Sequence, residues 1–312
     1  SEQAVVEAAA ALGIPSLSMV DLFALPGDAF LARPVHASRI TVLAEIPGEW
    51  EAALDELLAL APLPDPGFGN LLWQAAVGAW PSPTGADDLR QRLHAYAEKA
   101  MREASDRTSW TDPDSAYEAA VHAAVDASLD DDAVRRVVER VVSRIADPGW
   151  VIALSAKLLA LTVPGVPDVY QGSELWQQSL VDPDNRRPVD YALRAGLVEE
   201  LAEGARPGLA GGVDDQGTTK LLVTRAALRL LRDQPGLFDG YVPLSATGSA
   251  ADHVVAFDRG GAVTVVTRLP VGLAATGGSA GQKLASATYA SPSGAAAANV
   301  APARPSSSST RS

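Results

Sequence analysis

The sequence predicts a chain that is mostly α-helical, with one helix-to-strand step of the α/β kind and a small β domain towards its C-terminal end. Three observations lead there. Residues 49 to 147 carry successive helical stripes, an apolar segment from Trp150 feeds a short apolar run bounded by proline and glycine, and beyond Pro235-Gly236 the hydrophobic period falls to two.

Taken in order, residues 1 to 38 hold one short helical stretch, Ala4 to Leu12, after which Pro15, Pro26, Gly27 and Pro34 interrupt any longer periodicity. This opening is poorly specified. From Glu49, the residues Trp50, Ala53, Leu54, Leu57, Leu58 and Ala61 recur at helical spacing until Pro62, Pro64 and Pro66 stop them. A second helix is expected from about Asn70 to Trp80, and a third from Asp88 to about Arg107 with Leu89, Leu93, Tyr96, Ala100 and Ala104 on one stripe. Ser115 should cap a helix bearing Tyr117, Val121, Val125 and Leu129, and Asp130 to Asp132 should introduce another bearing Val134, Val137, Val138, Val141, Val142 and Ile145. Residues 39–147 thus form a helical region, which Asp147-Pro148-Gly149 should end.

In the next segment, 148–234, an apolar helix from Trp150 to Thr162 leads into Val166 to Tyr170, read as a short buried strand, with further helices near Tyr191 to Glu203 and Thr219 to Arg232. Residues 235–273 read as a β domain: Tyr241 to Leu244, His253 to Asp258 and Ala262 to Thr267 alternate as antiparallel strands, the last two joined through Arg259-Gly260-Gly261. Residues 274–312 shift to Ala, Ser, Gly and Pro and are expected to be disordered.

Composition narrows the function classes. The 312 residues suggest about two domains, and 47% hydrophobic with 20% charged residues fits a globular chain. The absence of cysteine excludes disulfides, a thiol nucleophile and a zinc ribbon. With 38 acidic against 25 basic residues the net charge is −13, a field that repels a phosphate backbone, so no nucleic-acid partner is expected. The longest apolar stretch, Trp150 to Val163, is interrupted by Ser155 and Lys157 and falls short of the roughly 20 residues a bilayer needs, so no membrane partner is expected either. The first residues, Ser1-Glu2-Gln3, show neither a basic leader nor an initiator Met, which points to a cytoplasmic chain given as a fragment.

Four histidines, His36, His94, His122 and His253, stand far apart without i, i+4 pairing and read as surface or packing residues, so no metal site is expected. The informative loop is Tyr170-Gln171-Gly172-Ser173-Glu174, followed by Asp182-Pro183-Asp184-Asn185-Arg186-Arg187. Its two forked guanidinium groups and its acceptors Asp182, Asp184 and Asn185 suit vicinal sugar hydroxyls. Two readings fit: a carbohydrate site, or an ionic network that only locks the loop. A second cluster has Lys99 and Glu103 on one helical face, with Trp110 able to stack on a pyranose or simply to anchor packing.

The stretches Arg39 to Pro47, Gly78 to Pro81, Lys99 to Ala104 with Thr108-Ser109-Trp110, Pro164 to Glu174, Val181 to Asp190 and His253 to Phe257 together resemble the malto-oligosyltrehalose synthases of the α-amylase superfamily, over residues 39 to 272. The resemblance implies a (β/α)8 barrel with a helical insertion, this chain being the C-terminal portion with the last barrel strand and a truncated β domain. It further implies intramolecular transglucosylation: the reducing-end α-1,4 linkage of a malto-oligosaccharide becomes an α,α-1,1 linkage, with retaining carboxylate chemistry and no cofactor. By the same resemblance Asp182, Asp184, Asn185, Arg186, Arg187, Tyr170, Gln171 and Glu174 belong to the substrate loop, and Lys99, Glu103 and Trp110 are reducing-end contacts. The family's nucleophile and acid/base would lie ahead of residue 1, and Pro34-Val35-His36-Ala37-Ser38 stands where its third acid belongs, so no residue here is given a bond-making role and the isolated chain is expected to lack turnover. The alternative is a non-catalytic glucan-binding or interaction module.

Overall fold

The computed structural model describes residues 34–81, 88–205, 214, 216–275 and 288–290, so the expected helix Ala4 to Leu12 and most of the tail lie outside the described residues. Two compact units result. One comprises residues 34–150 with Gln177–Pro188; the other comprises Val151–Trp176 with residues 189–275 and 288–290.

The first unit is helical. Helix α1, Pro34–Leu43, includes Pro34, where a break was expected and which is the first described residue. Helix α2, Pro47–Leu60, buries Trp50, Ala53 and Leu57. Helix α3, Pro66–Ala79, starts earlier than its apolar stripe suggests: Asp65 Oδ1 accepts from the Gly67 and Phe68 amides at 2.8 and 3.2 Å, which caps the helix just ahead of Pro66. Helix α4, Leu89–Ala104, buries Leu89, Leu93, Ala97 and Met101 and stops at Ser105 in the left-handed region. Helix α5, Ser115–Asp130, is capped by Asp114 rather than Ser115, the carboxylate accepting from the Ala116 and Tyr117 amides at 3.0 Å each.

Helix α6, Asp132–Thr162, corrects a second expectation: Pro148 lies inside it instead of ending it. Packing overrides the proline here. Gly149 brings the helix so near α1 that a Cβ would sit 2.8 Å from Arg39 Cγ. The Arg39 guanidinium lies 4.8 Å from the Trp150 ring centre and donates to the Trp80 carbonyl at 2.7 Å. At 31 residues α6 is, among the described residues, the one helix long and apolar enough to cross a membrane, contrary to the length read from the sequence. Val134, Val137, Val138, Ile145 and Trp150 nevertheless lie in the protein core.

In the second unit, α7, Tyr191–Ala202, and α8, Thr218–Asp233, enclose Leu175, Leu197, Leu201 and Leu221. Strands β1 (Val242–Thr247), β2 (Val254–Asp258) and β3 (Val263–Thr267) form the expected antiparallel meander, with Asp258 paired to Val263 across the turn. Asp258 Oδ1 accepts from the Gly260 and Gly261 amides, both at 2.8 Å, and both glycines have positive φ. Arg259 ties the turn to the rest of the unit, donating to the carbonyls of Gly240 (2.6 Å), Thr162 (2.5 Å) and Phe238. Helix α9, Pro270–Ala275, follows, and β4, Thr288–Ala290, pairs with β1, so part of the segment expected to be disordered joins the sheet in the order β3-β2-β1-β4.

The expected strand Val166 to Tyr170 is absent. The residues are extended but unpaired, and Val166 is 96% exposed. A parallel barrel strand is held by hydrogen bonds to its neighbours, and no described strand lies beside this one.

Candidate functional site

Within the first unit, Asp88 at the N-terminal cap of α4 and Gln91, Arg92, Ala95, Tyr96 and Lys99 within it are presented at helical spacing towards the loop Leu180 to Arg187. Together they line a cavity of about 300 Å³, at the small end of the roughly 300–1,000 Å³ typical of ligand sites. The loop is held by arginine. Arg92 donates from Nε to Asp184 Oδ1 at 2.8 Å and from Nη2 to Asp184 Oδ2 at 3.0 Å, and reaches the Gln178 carbonyl at 2.5 Å. Asp184 Oδ2 also accepts the Leu180 amide at 2.6 Å, so both oxygens are engaged.

Arg187 bridges loop and helix. It donates to Asp88 Oδ2 at 3.0 Å, to the Asp184 carbonyl at 3.2 Å and to Ser179 Oγ at 3.4 Å. Lys99 Nζ donates to the Asp182 carbonyl at 2.8 Å, leaving ammonium hydrogens for the cavity, while the Asp182 carboxylate lies against Arg186. Among the described residues no group of three His, Asp or Glu side chains is arranged to hold a metal ion.

A second hollow of about 510 Å³ in the same unit is floored by Leu43, Ile46, Trp50 and Ala53 and rimmed by the pairs Arg144–Glu49 and Arg140–Glu56. Its four charged residues are taken up in those two pairs.

No family model matches the chain. Over 244 residues, 77% of its length, it is 47% identical to a protein of Mycobacterium tuberculosis named as a maltooligosyl trehalose synthase, of which it covers 30%. It superposes on the maltooligosyltrehalose synthase of Arthrobacter ramosus with a TM-score of 0.73 at 48% identity, covering 78% of this chain and 31% of that one. Over this range the chain is similar to the maltooligosyltrehalose synthases. A further match is to the hypothetical maltooligosyl trehalose synthase of Sulfolobus tokodaii, with a TM-score of 0.63 at 29% identity, covering 74% of this chain and 31% of that one. The chain therefore spans about a third of the length of the synthases it matches.

Of the residues expected at the site, the structure brings Asp182, Asp184, Arg187 and Lys99 to the cavity. Arg186 turns outward and is 63% exposed at its side chain. Asn185 is buried beside the loop, its Oδ1 without a hydrogen-bond partner. Glu103 lies 4.0 Å from Lys99 and is half-exposed. Trp110 is exposed, one ring face covered by the Arg102 guanidinium at 4.9 Å. Arg102 in turn grips Glu118 at 2.9 and 2.8 Å, and these bonds with one from Thr108 hold the Glu118 carboxyl down to about 2.

Tyr170, Gln171 and Glu174 belong to the other unit, where Glu174 pairs with Arg194 at 3.2 Å and Gln171 accepts from Tyr191 at 3.5 Å. Sequence reasoning missed Asp88, Gln91 and Arg92 as lining residues. Their spacing with Tyr96 and Lys99, at i, i+3, i+4, i+8 and i+11, was the available signal. It also treated His94 and His122 as remote from each other, yet their Nδ1 atoms lie 2.7 Å apart.

Proposed function

We propose that this chain supplies a glucose-holding pocket of an enzyme of trehalose biosynthesis, which converts the reducing-end α-1,4 linkage of a malto-oligosaccharide to an α,α-1,1 linkage. Similarity to the maltooligosyltrehalose synthases supports the reaction class; the α4–loop cavity supports the role of this part. Lys99 offers donors and Asp88 retains acceptor lone pairs, a combination suited to adjacent hydroxyls of one pyranose. The rearrangement needs the released glucose to stay bound and turn while water is kept out, which is the work of such a pocket.

The observation that carries this reading is that every carboxylate lining the cavity is held by arginine: Asp88 by Arg92 and Arg187, Asp182 by Arg186, Asp184 by Arg92. Retaining chemistry needs one carboxylate free to attack and another able to carry a proton, about 5–5.5 Å apart. These three are instead engaged as acceptors by the guanidinium groups that hold the helix and the loop together. The pocket therefore binds and orients, and bond making is assigned to the rest of the enzyme. The same observation favours, as second reading, a glucan-binding module without turnover.

Calorimetric titration of the 312-residue chain with maltopentaose tests the pocket. Binding that weakens about tenfold in Lys99→Ala and in Asp88→Asn fits it; a wild-type chain that takes up no maltopentaose sinks it. Combined with the rest of a relative's chain, the synthase reading requires a non-reducing product with little free glucose, whereas a module adds no conversion.

A further inference from the structure

On the side of α4 away from the cavity, His94 meets His122 of α5. Their Nδ1 atoms are 2.7 Å apart and their ring centres 4.8 Å apart. His94 Nε2 lies 3.0 Å from Asp126 Oδ1, and Asp126 also takes Arg90 at 2.5 Å, which continues to Asp130 at 2.6 Å. Hydrogen bonding to His94 holds the Asp126 carboxyl below its usual range, so at neutral pH the carboxylate is ionised and His94 must donate from Nε2. Neutral His94 then has a bare Nδ1, and His122 fills it with its own Nδ1–H. A single N–H joins the two rings.

We infer that His94 and His122 form a proton-operated clasp between α4 and α5 that closes with one proton on the bridge and opens when both rings are charged. The first added proton does not break the contact. With one ring cationic and donating through its Nδ1, the other carries its proton on Nε2 and accepts through Nδ1. The second proton removes the last lone pair between the rings and places two cations in contact, so the bridge is lost.

The surroundings fit this order. Burial first, and the His94 charge second, push His122 below the ordinary histidine range, against the opposing influence of Glu98, Glu118 and Asp126. The charged groups facing the pair are Arg90 and Glu98 on α4 and Glu118, Asp126 and Asp130 on α5. Helix α3, also packed on α4, carries no ionisable side chain. Because α4 bears Arg92, Tyr96 and Lys99 on its cavity face, loosening it from α5 weakens that wall; this last step rests on the glucan-pocket reading, whereas the clasp itself does not.

The test follows the histidine ring protons of the whole chain by NMR from pH 8 to pH 4, alongside hydrogen exchange of residues 89–104. The clasp requires the pair to titrate in two steps separated by more than about one pH unit, with exchange in α4 rising about tenfold across the lower step only. In His122→Gln, exchange should stay flat across that range. Independent single-step titration near the ordinary histidine value overturns the clasp even if the variant does not fold, and so does acid loosening in His122→Gln equal to wild type. Maltopentaose affinity should fall with the lower step in wild type alone. If maltopentaose does not bind at neutral pH, the pocket reading fails while the clasp is still decided by titration and exchange.

Discussion

Arg92 holds Asp184 through two near-parallel N–H···O bonds across 92 residues of sequence, and both side chains are about nine-tenths buried. This pair converts a loop without regular structure into a wall. The planar guanidinium matches both carboxylate oxygens and has an arm left for the Gln178 carbonyl, which a lysine cannot reproduce. Removing one partner of a buried pair leaves the other charge uncompensated, so Arg92→Ala is expected to lose about 3 kcal/mol of stability. Arg92→Lys should recover part of that stability but not the loop geometry. Urea unfolding with hydrogen exchange of residues 178–187 checks this; an Arg92→Ala chain as stable as wild type contradicts it.

The same pair marks how far the sequence could be read. The Asp184-Asn185-Arg186-Arg187 run was legible as a polar cluster, because forked donors beside carboxylates stand out in any context. That Asp184 is saturated, and so holds the loop rather than touching sugar, depends on Arg92, and side-chain pairing across that distance has no local signature. Helices were legible wherever apolar residues recur every three or four positions and a proline or cap bounds them, as in α2, α4 and α8. Legibility failed where tertiary contact outweighs local preference: Gly149 packing on Arg39 carries α6 through Pro148, and Val166 to Tyr170, strand-like in composition, has no neighbour to pair with among the described residues. The β2–β3 hairpin was readable because positive φ at Gly260 and Gly261 is a requirement glycine meets without strain.

Acid should weaken the α4–α5 contact at a second point. Glu118, held by Arg102 and Thr108, has a folded pKa of about 2 against an ordinary 4.5. A depressed carboxylate pKa stabilises the fold fully above the unfolded value and loses that contribution as pH falls from about 4.5 towards 2. Thermal melts at steps between pH 6 and pH 2.5 should therefore show a fall that Glu118→Gln flattens. Glu118→Gln leaves His94 and His122 in place, so the difference between the two melts isolates the Glu118 contribution from that of the clasp.

Gly217 sits just ahead of α8 with φ of +89°, where an added Cβ would lie 2.4 Å from the Trp176 amide nitrogen. Neither neighbour can yield cheaply. The Trp176 backbone leads from Leu175 in the core, and its indole donates to the Asp214 carbonyl at 2.6 Å. Gly217→Ala combines a left-handed backbone penalty with a backbone clash and should cost more than about 1 kcal/mol, measurable as a lower urea midpoint at unchanged slope. Gly204 is the control: its φ is also positive, +107°, but among the described residues nothing lies near its added Cβ, so Gly204→Ala should be the milder change.

Lys220 offers the opposite outcome, a substitution that stabilises. Its side chain is fully buried, and its ammonium has the Leu175 carbonyl at 3.2 Å and the Trp176 ring centre at 5.6 Å. Burial first, and then the charge of Lys157, push its pKa well below the ordinary lysine value, with Glu174 opposing. For a base whose folded pKa is depressed, the unfolded chain binds the proton more tightly, so stability rises with pH between the folded value and about 10.4 and is diminished below it. Lys220→Met keeps the side-chain length, gives up one hydrogen bond and removes the buried amine. At pH 7 it should gain on the order of 1 kcal/mol, and the rise in stability towards alkaline pH should disappear. If the variant is instead less stable at pH 7, the bond to Leu175 and the ring contact outweigh desolvation, and Lys220 stabilises the core as a cation.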